Sequence, residues 1–160
     1  MQLQFDIERF LPYRLNRIAE TFSGNFARYC SDTYELSWAE WQVLWALGEG
    51  VFTTAKAISK HSGLNKTKVS RAVKALEERD WLVRRRDSRD RRLEQLQLTE
   101  EGRRNYTELR DRAADYQSWL ESRLDIPYRN ALDEGLLGME DAIAAGLLQQ
   151  SGQQNSRLGD

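Results

Sequence analysis

The residues best equipped for chemistry lie between Lys66 and Lys74. Lys66, Thr67, Lys68, Ser70, Arg71 and Lys74 supply ammonium, guanidinium and hydroxyl donors. Such groups hydrogen-bond phosphate oxygens and base edges. Between them Val69, Val73 and Leu76 recur at helical spacing, so the donors share the outward face of one helix. A second concentration of charge follows in Arg89, Asp90, Arg91 and Arg92. From Thr54 to Arg92 there are 13 basic and 5 acidic residues, a local charge of +8, against −1 for the whole chain and therefore −9 for the rest. A positive field so concentrated suits a polyanion.

Other chemistries find little material. Cys30 and His61 are the only cysteine and histidine, which excludes a disulfide framework and a Cys/His metal cluster. No nucleophile–base pair or glycine-rich phosphate loop appears, so the expectation is a protein that is no enzyme and has no cofactor. No apolar run approaches the roughly 18 residues of a membrane span. The start, Met1-Gln2-Leu3-Gln4-Phe5-Asp6, lacks the basic and apolar parts of a signal peptide. A cytoplasmic protein without membrane association is expected.

The elements that must hold these residues are legible from periodicity. Leu11, Leu15, Ile18, Phe22, Phe26 and Tyr29 mark one stripe of a long first helix. Ser37-Trp38-Ala39-Glu40 is a capping box opening a second helix with Trp41, Leu44, Trp45 and Leu47 on its apolar face, stopped near Gly48 and Gly50. Thr54 caps a short third helix through Ala57, Ile58 and His61, broken at Ser62-Gly63. Asn65 caps the fourth, Lys66 to about Arg79. Trp81 to Arg86 and Leu93 to Leu98, around a charged loop, read as a β-hairpin. Thr99-Glu100-Glu101 starts another long helix striped by Tyr106, Leu109, Ala113, Tyr116 and Leu120. A last helix from Asp125-Ile126-Pro127 shows Leu132, Leu136, Met139, Ile143 and Leu147.

The third and fourth helices with the hairpin form a winged helix-turn-helix. Ala57 and Ile58 pack on Leu64, Val69 and Val73, so the fourth helix presents its polar face outward, as the DNA major groove requires. The hairpin tip, Arg89, Asp90, Arg91 and Arg92, suits the adjacent minor groove, whose narrow form attracts arginine. Asp90 is expected to brace a wing arginine, since a carboxylate repels phosphate. The fold class is mainly α with a small β-hairpin wing, flanked by long helices whose stripes one small core cannot cover.

The sequence resembles the MarR (multiple antibiotic resistance regulator) family of bacterial transcription factors. The resemblance rests on Ser37-x-x-Glu40-Trp41-x-Val43-Leu44, on Lys66-Thr67-x-Val69-Ser70-Arg71 with Leu76-Glu77-Glu78, and on the wing, where Asp90, Arg92, Leu98 and Thr99 meet the Asp-x-Arg-x5-Leu-Thr pattern. It departs at Asp80-Trp81, where the family has a glycine closing the recognition helix. The resemblance implies one domain over 6–149, with a winged core at 37–99, dimerisation helices at 6–30 and 100–149, and a polar tail at 150–160. It further implies a homodimer that binds a palindromic operator on double-stranded DNA, a repressor released by a small aromatic ligand. Candidate phosphate contacts are Ser37 and Thr54. A candidate ligand pocket comprises Tyr13, Phe22, Phe26, Trp41 and Trp45, and Cys30 is a candidate redox site. Two alternatives remain open: oxidant sensing through Cys30, and architectural DNA binding without a ligand.

Overall fold

In a computed structural model of the chain, which describes residues 6–50, 53–86 and 94–147, six α-helices and one antiparallel hairpin follow in the expected order. A 3-10 turn (Ile7–Arg9) capped by Asp6 leads into α1 (Leu11–Tyr34), with Pro12 in the first turn, where a missing N–H leaves nothing unsatisfied. This helix runs to Tyr34, four residues beyond the expected end at 30. Its stop is a residue that gives no stop signal in sequence. Glu35 adopts the left-handed conformation (φ 53°), its N–H bonds the Ser31 carbonyl at 3.0 Å, and the Leu36 N–H bonds that of Cys30 at 3.2 Å.

The core gathers behind that turn. In α2 (Trp38–Gly48) the capping box forms as expected: Glu40 N–H donates to Ser37 Oγ at 3.3 Å, and Ser37 N–H donates to Glu40 Oε2 at 3.1 Å. Thr54 caps α3 (Ala55–Ser62) and Asn65 caps α4 (Lys66–Glu78), and Gly63 turns between them at φ 70°. Val43, Leu44, Ile58, Val69, Val73 and Leu76 are all but fully buried. Each such side chain contributes about 1.5–3 kcal/mol through removal from water. This is what fixes the angle of α4.

The hairpin pairs β1 (Leu82–Arg86) with β2 (Glu94–Leu98), in the register Leu82 opposite Leu98 and Arg84 opposite Leu96. Leu82 and Leu96 enter the core from one face, and Val83 and Arg85 on the other are exposed. The Leu96 N–H donates to the Thr53 carbonyl at 2.7 Å, tying the approach to α3 onto the hairpin. Asp80, at the position of the departure from the MarR pattern, takes φ 57°. The left-handed bend forms here without glycine.

Thr99 caps α5 (Glu100–Glu121), accepting from the Gly102 N–H at 3.0 Å. Gly102 lies against the Trp81 carbonyl, where a Cβ would sit 1.9 Å from the oxygen. Four residues on, the Tyr106 ring covers Gly48 and its hydroxyl donates to Glu49.

The backbone clusters into two units, residues 1–115 and 116–160. The second holds the end of α5 and α6 (Ile126–Ala144), which starts at Asp125 with Pro127 in the first turn. Tyr116 stacks on Trp119 at 5.5 Å, and Arg129 pairs with Glu121 at 3.7 Å. No residue of α6 is buried. Among the described residues no helix is long and apolar enough to cross a membrane.

Candidate nucleic-acid interface

α4 sorts its residues by face. Val69, Ala72, Val73 and Leu76 point inward, and Lys66, Thr67, Lys68, Ser70, Arg71 and Lys74 are all exposed. Lys74 pairs with Glu78 one turn on at 3.5 Å. Among the described residues no carboxylate pairs with Lys66, Lys68 or Arg71. Three unneutralised cations near the start of one exposed helix make a concentrated positive surface, widened by exposed Lys56 and Lys60 of α3. A groove of about 360 Å³ runs between α4 and the first turn of α2, with Trp38, Ala39, Leu64 and Ala72 beside Lys68 and Arg71.

The candidate phosphate contacts both serve as helix caps. Ser37 Oγ accepts from Glu40 and Thr54 Oγ1 accepts from the Ala57 N–H at 3.2 Å. Each hydroxyl keeps its own proton to donate. The wing residues Arg89, Asp90, Arg91 and Arg92 lie outside the described residues. The base of the wing does not. Arg84 Nε donates to Glu77 Oε2 of α4 at 2.9 Å and its Nη1 donates to Glu94 Oε2 at 2.8 Å. Glu94 first, then Glu77, hold the guanidinium proton above its ordinary affinity. Arg84 thereby joins the hairpin to the helix. Its sequence signal, one cation in a run of three, does not distinguish it from its neighbours.

Among the candidate pocket aromatics, Phe26, Trp41 and Trp45 come together. Trp41 packs edge-on to Phe26 at 5.5 Å and lies 5.3 Å from Trp45. Trp38 stacks on Trp41 at 4.5 Å and Tyr106 meets Trp45 at 5.7 Å, so two further rings complete the row. Burial first, then the Glu49 partner, push the Tyr106 phenol up to about 12. Phe22 is half-buried on α1. Tyr13 stands 13 positions before Phe26 on the same helix, about 20 Å away along the axis, and carries the Arg17 guanidinium instead. Trp41 Nε1 and Gln42 Oε1, a donor and an acceptor from adjacent residues, are buried without hydrogen-bond partners among the described residues.

Cys30 is completely buried, and burial pushes its thiol up to about 11. Almost none is thiolate at neutral pH, and the thiolate is the form that reacts with oxidants. Nothing in this geometry supports oxidant sensing. Among the described residues no group of three or more acidic, histidine or cysteine side chains could hold a metal ion.

A family model described as MarR family matches residues 34–93, the span from the end of α1 to just before β2. The winged core is thus similar to the MarR family. The chain is 31% identical over 77 residues to YwaE of Bacillus subtilis (strain 168), named as an uncharacterized HTH-type transcriptional regulator; the match covers 48% of this chain, and the chain spans about half the length of that relative, 45%. The fold continues through the outer helices. A MarR/EmrR family regulator from Acinetobacter sp. ADP1 superposes with a TM-score of 0.77 over 88% of this chain and 99% of its own, at 23% identity. BpsR of Bordetella bronchiseptica, in a structure concerned with regulation of its DNA binding by 6-hydroxynicotinic acid, gives 0.75 over 86% and 98%, also at 23% identity. At this identity the likeness shows the winged-helix fold alone, over the outer helices as well as the matched core.

Proposed function

We propose that the chain is a homodimeric, sequence-specific DNA-binding transcriptional regulator that reads a palindromic operator with α4 in the major groove. One observation carries this reading: Lys66, Lys68 and Arg71 project from the exposed face of a rigidly packed helix with no carboxylate partner among the described residues. Cations left unpaired on a basic surface await phosphate or guanine. Thr67 and Ser70 read base edges, and Ser37 and Thr54 donate to phosphates. At the wing Arg89 or Arg91 enters the minor groove, with Asp90 bracing the tip beside Arg92. Two copies place two α4 helices about 34 Å apart, one turn of DNA. Exposed Leu11, Leu15 and Ile18 on α1, and Leu132, Leu136 and Ile143 on α6, supply apolar surface for the pairing.

We further propose repression relieved by a small aromatic ligand, with no catalytic activity and action in the cytoplasm. The ring row of Phe26, Trp41 and Trp45, with the unpartnered Trp41 Nε1 beside it, supports an aromatic compound bearing an acceptor. BpsR, whose DNA binding is regulated by 6-hydroxynicotinic acid, is a precedent for this class of effector.

The test is competition between a selected palindrome and random DNA, where a regulator prefers its site by about 10³ or more. Lys68→Ala and Arg71→Ala are expected to weaken operator binding by about 1–3 kcal/mol for each base edge left unread. Parent-like binding by both variants would remove α4 from the groove.

A further inference from the structure

Arg79 makes contacts that its position does not foreshadow. Its backbone closes α4, its N–H bonding the Glu77 carbonyl as the C-cap. Its side chain closes a different helix. Nη1 donates to the Tyr34 carbonyl at 3.1 Å and Nη2 donates to the Glu35 carbonyl at 2.7 Å, 45 and 44 residues earlier in the chain. These carbonyls are at the negative end of α1, whose last turn has no basic residue of its own. The carbonyls of Cys30 and Ser31 are already bonded by the left-handed turn at Glu35, so Arg79 supplies donors to carbonyls further along that end. The Trp81 ring, 5.7 Å from the guanidinium carbon, covers one of its faces. A planar fork bonding two carbonyls and stacked on an indole is oriented in all directions.

The same junction continues into the rest of the core. The Tyr34 hydroxyl donates to Glu108 of α5 at 2.5 Å, and the Thr99 hydroxyl donates to the Asp80 carbonyl at 2.6 Å. The ends of α1 and α4 meet at the guanidinium, and residues beside it, Tyr34 and Asp80, each bond a separate point on or before α5. Arg79 is eight positions beyond Arg71, about 12 Å along the axis from the exposed cations.

We infer that Arg79 is a positioning residue: by holding the end of α4 to the end of α1, it sets the attitude of the α4 polar face without touching the nucleic acid. The inference rests on the proposed function for its binding readout and has a second readout that does not. A displacement of α1 would reach α4 through this fork, because the fork is a rigid link between the two helix ends.

Arg79→Met removes the fork and keeps most of the stem; Arg79→Lys keeps the charge and can bond only one carbonyl well. Operator affinity measured across salt concentrations is expected to fall about tenfold for Arg79→Met, a magnitude common for coupling within one protein. Its salt slope should equal the parent's, and Arg79→Lys should recover only part of the affinity. A phosphate contact would instead lower the slope by about one and be restored by lysine; either result overturns the inference, as does parent-like affinity in Arg79→Met. In the free protein, amide exchange is expected to quicken in the last turns of both α1 and α4, with the buried amides of α2 unchanged. Parent-like exchange in both turns overturns the inference even if the parent binds no DNA, an outcome that would by itself refute only the proposed function. Should Arg79→Met fail to fold, Arg79→Lys carries both measurements with the same signs.

Discussion

α4 and α6 are both amphipathic helices, and the single chain treats them in opposite ways. α4 buries Val69, Ala72, Val73 and Leu76 against its neighbours. α6, with Leu132, Leu136, Met139 and Ile143 at the same helical spacing, fully buries none of them. The winged core is therefore completed by its own sequence, whereas the outer helix keeps its apolar surface exposed among the described residues. Periodicity reports which face of a helix is apolar. It does not report where the matching surface comes from.

The contrast can be broken most forcefully at its buried end. Leu76→Ala is expected to cost about 2–5 kcal/mol in a denaturant titration, from reduced burial and the cavity left behind. Leu136→Ala, measured on dilute, dissociated chain, should change stability by less than about 0.5 kcal/mol. Equal destabilisation would mean α6 is packed within one copy. Thiol chemistry sharpens the same contrast at the next size of effect. Cys30, buried and raised to about 11, should alkylate at pH 8 at least about 100-fold more slowly than a cysteine introduced by Leu137→Cys on α6. Comparable rates would put Cys30 within reach of solvent. Leu136→Glu should then shift a sedimentation profile toward the single chain at micromolar concentration while leaving the far-ultraviolet dichroism of the core intact. An unchanged profile would take α6 out of the pairing surface. The smallest effect belongs to the closed core itself: Asp80→Gly should stabilise it by about 0.5–1 kcal/mol, because glycine holds a positive φ without the steric penalty.

Much of this organisation is legible in the residues. The capping box at Ser37 and Glu40, the caps at Thr54 and Asn65, and the inward Val69–Val73–Leu76 stripe each appear where local chemistry places them. Trp38, Trp41 and Trp45 stand three and four apart, so one helix brings their rings together. What local chemistry cannot express is a partner distant in sequence. The end of α1 is invisible there because Glu35 bends like a glycine and its carbonyl is bonded by Arg79. Arg84 is one arginine in a run of three until Glu77 and Glu94 single it out. Tyr106 joins the tryptophan row only because α5 folds back over Gly48.

The stretch from Thr99 to Tyr106 acts as a ruler. Gly102 is fixed where the Trp81 carbonyl leaves no room for a side chain, and Tyr106 is fixed where Gly48 leaves room for a ring. Only the count of residues between them makes both contacts possible at once. One residue inserted there would turn the helix beyond it by about 100° and advance it by about 1.5 Å, carrying the phenol away from Glu49. This segment tolerates changes of exposed residue type, such as at Arg103 and Arg104, far better than any change of length.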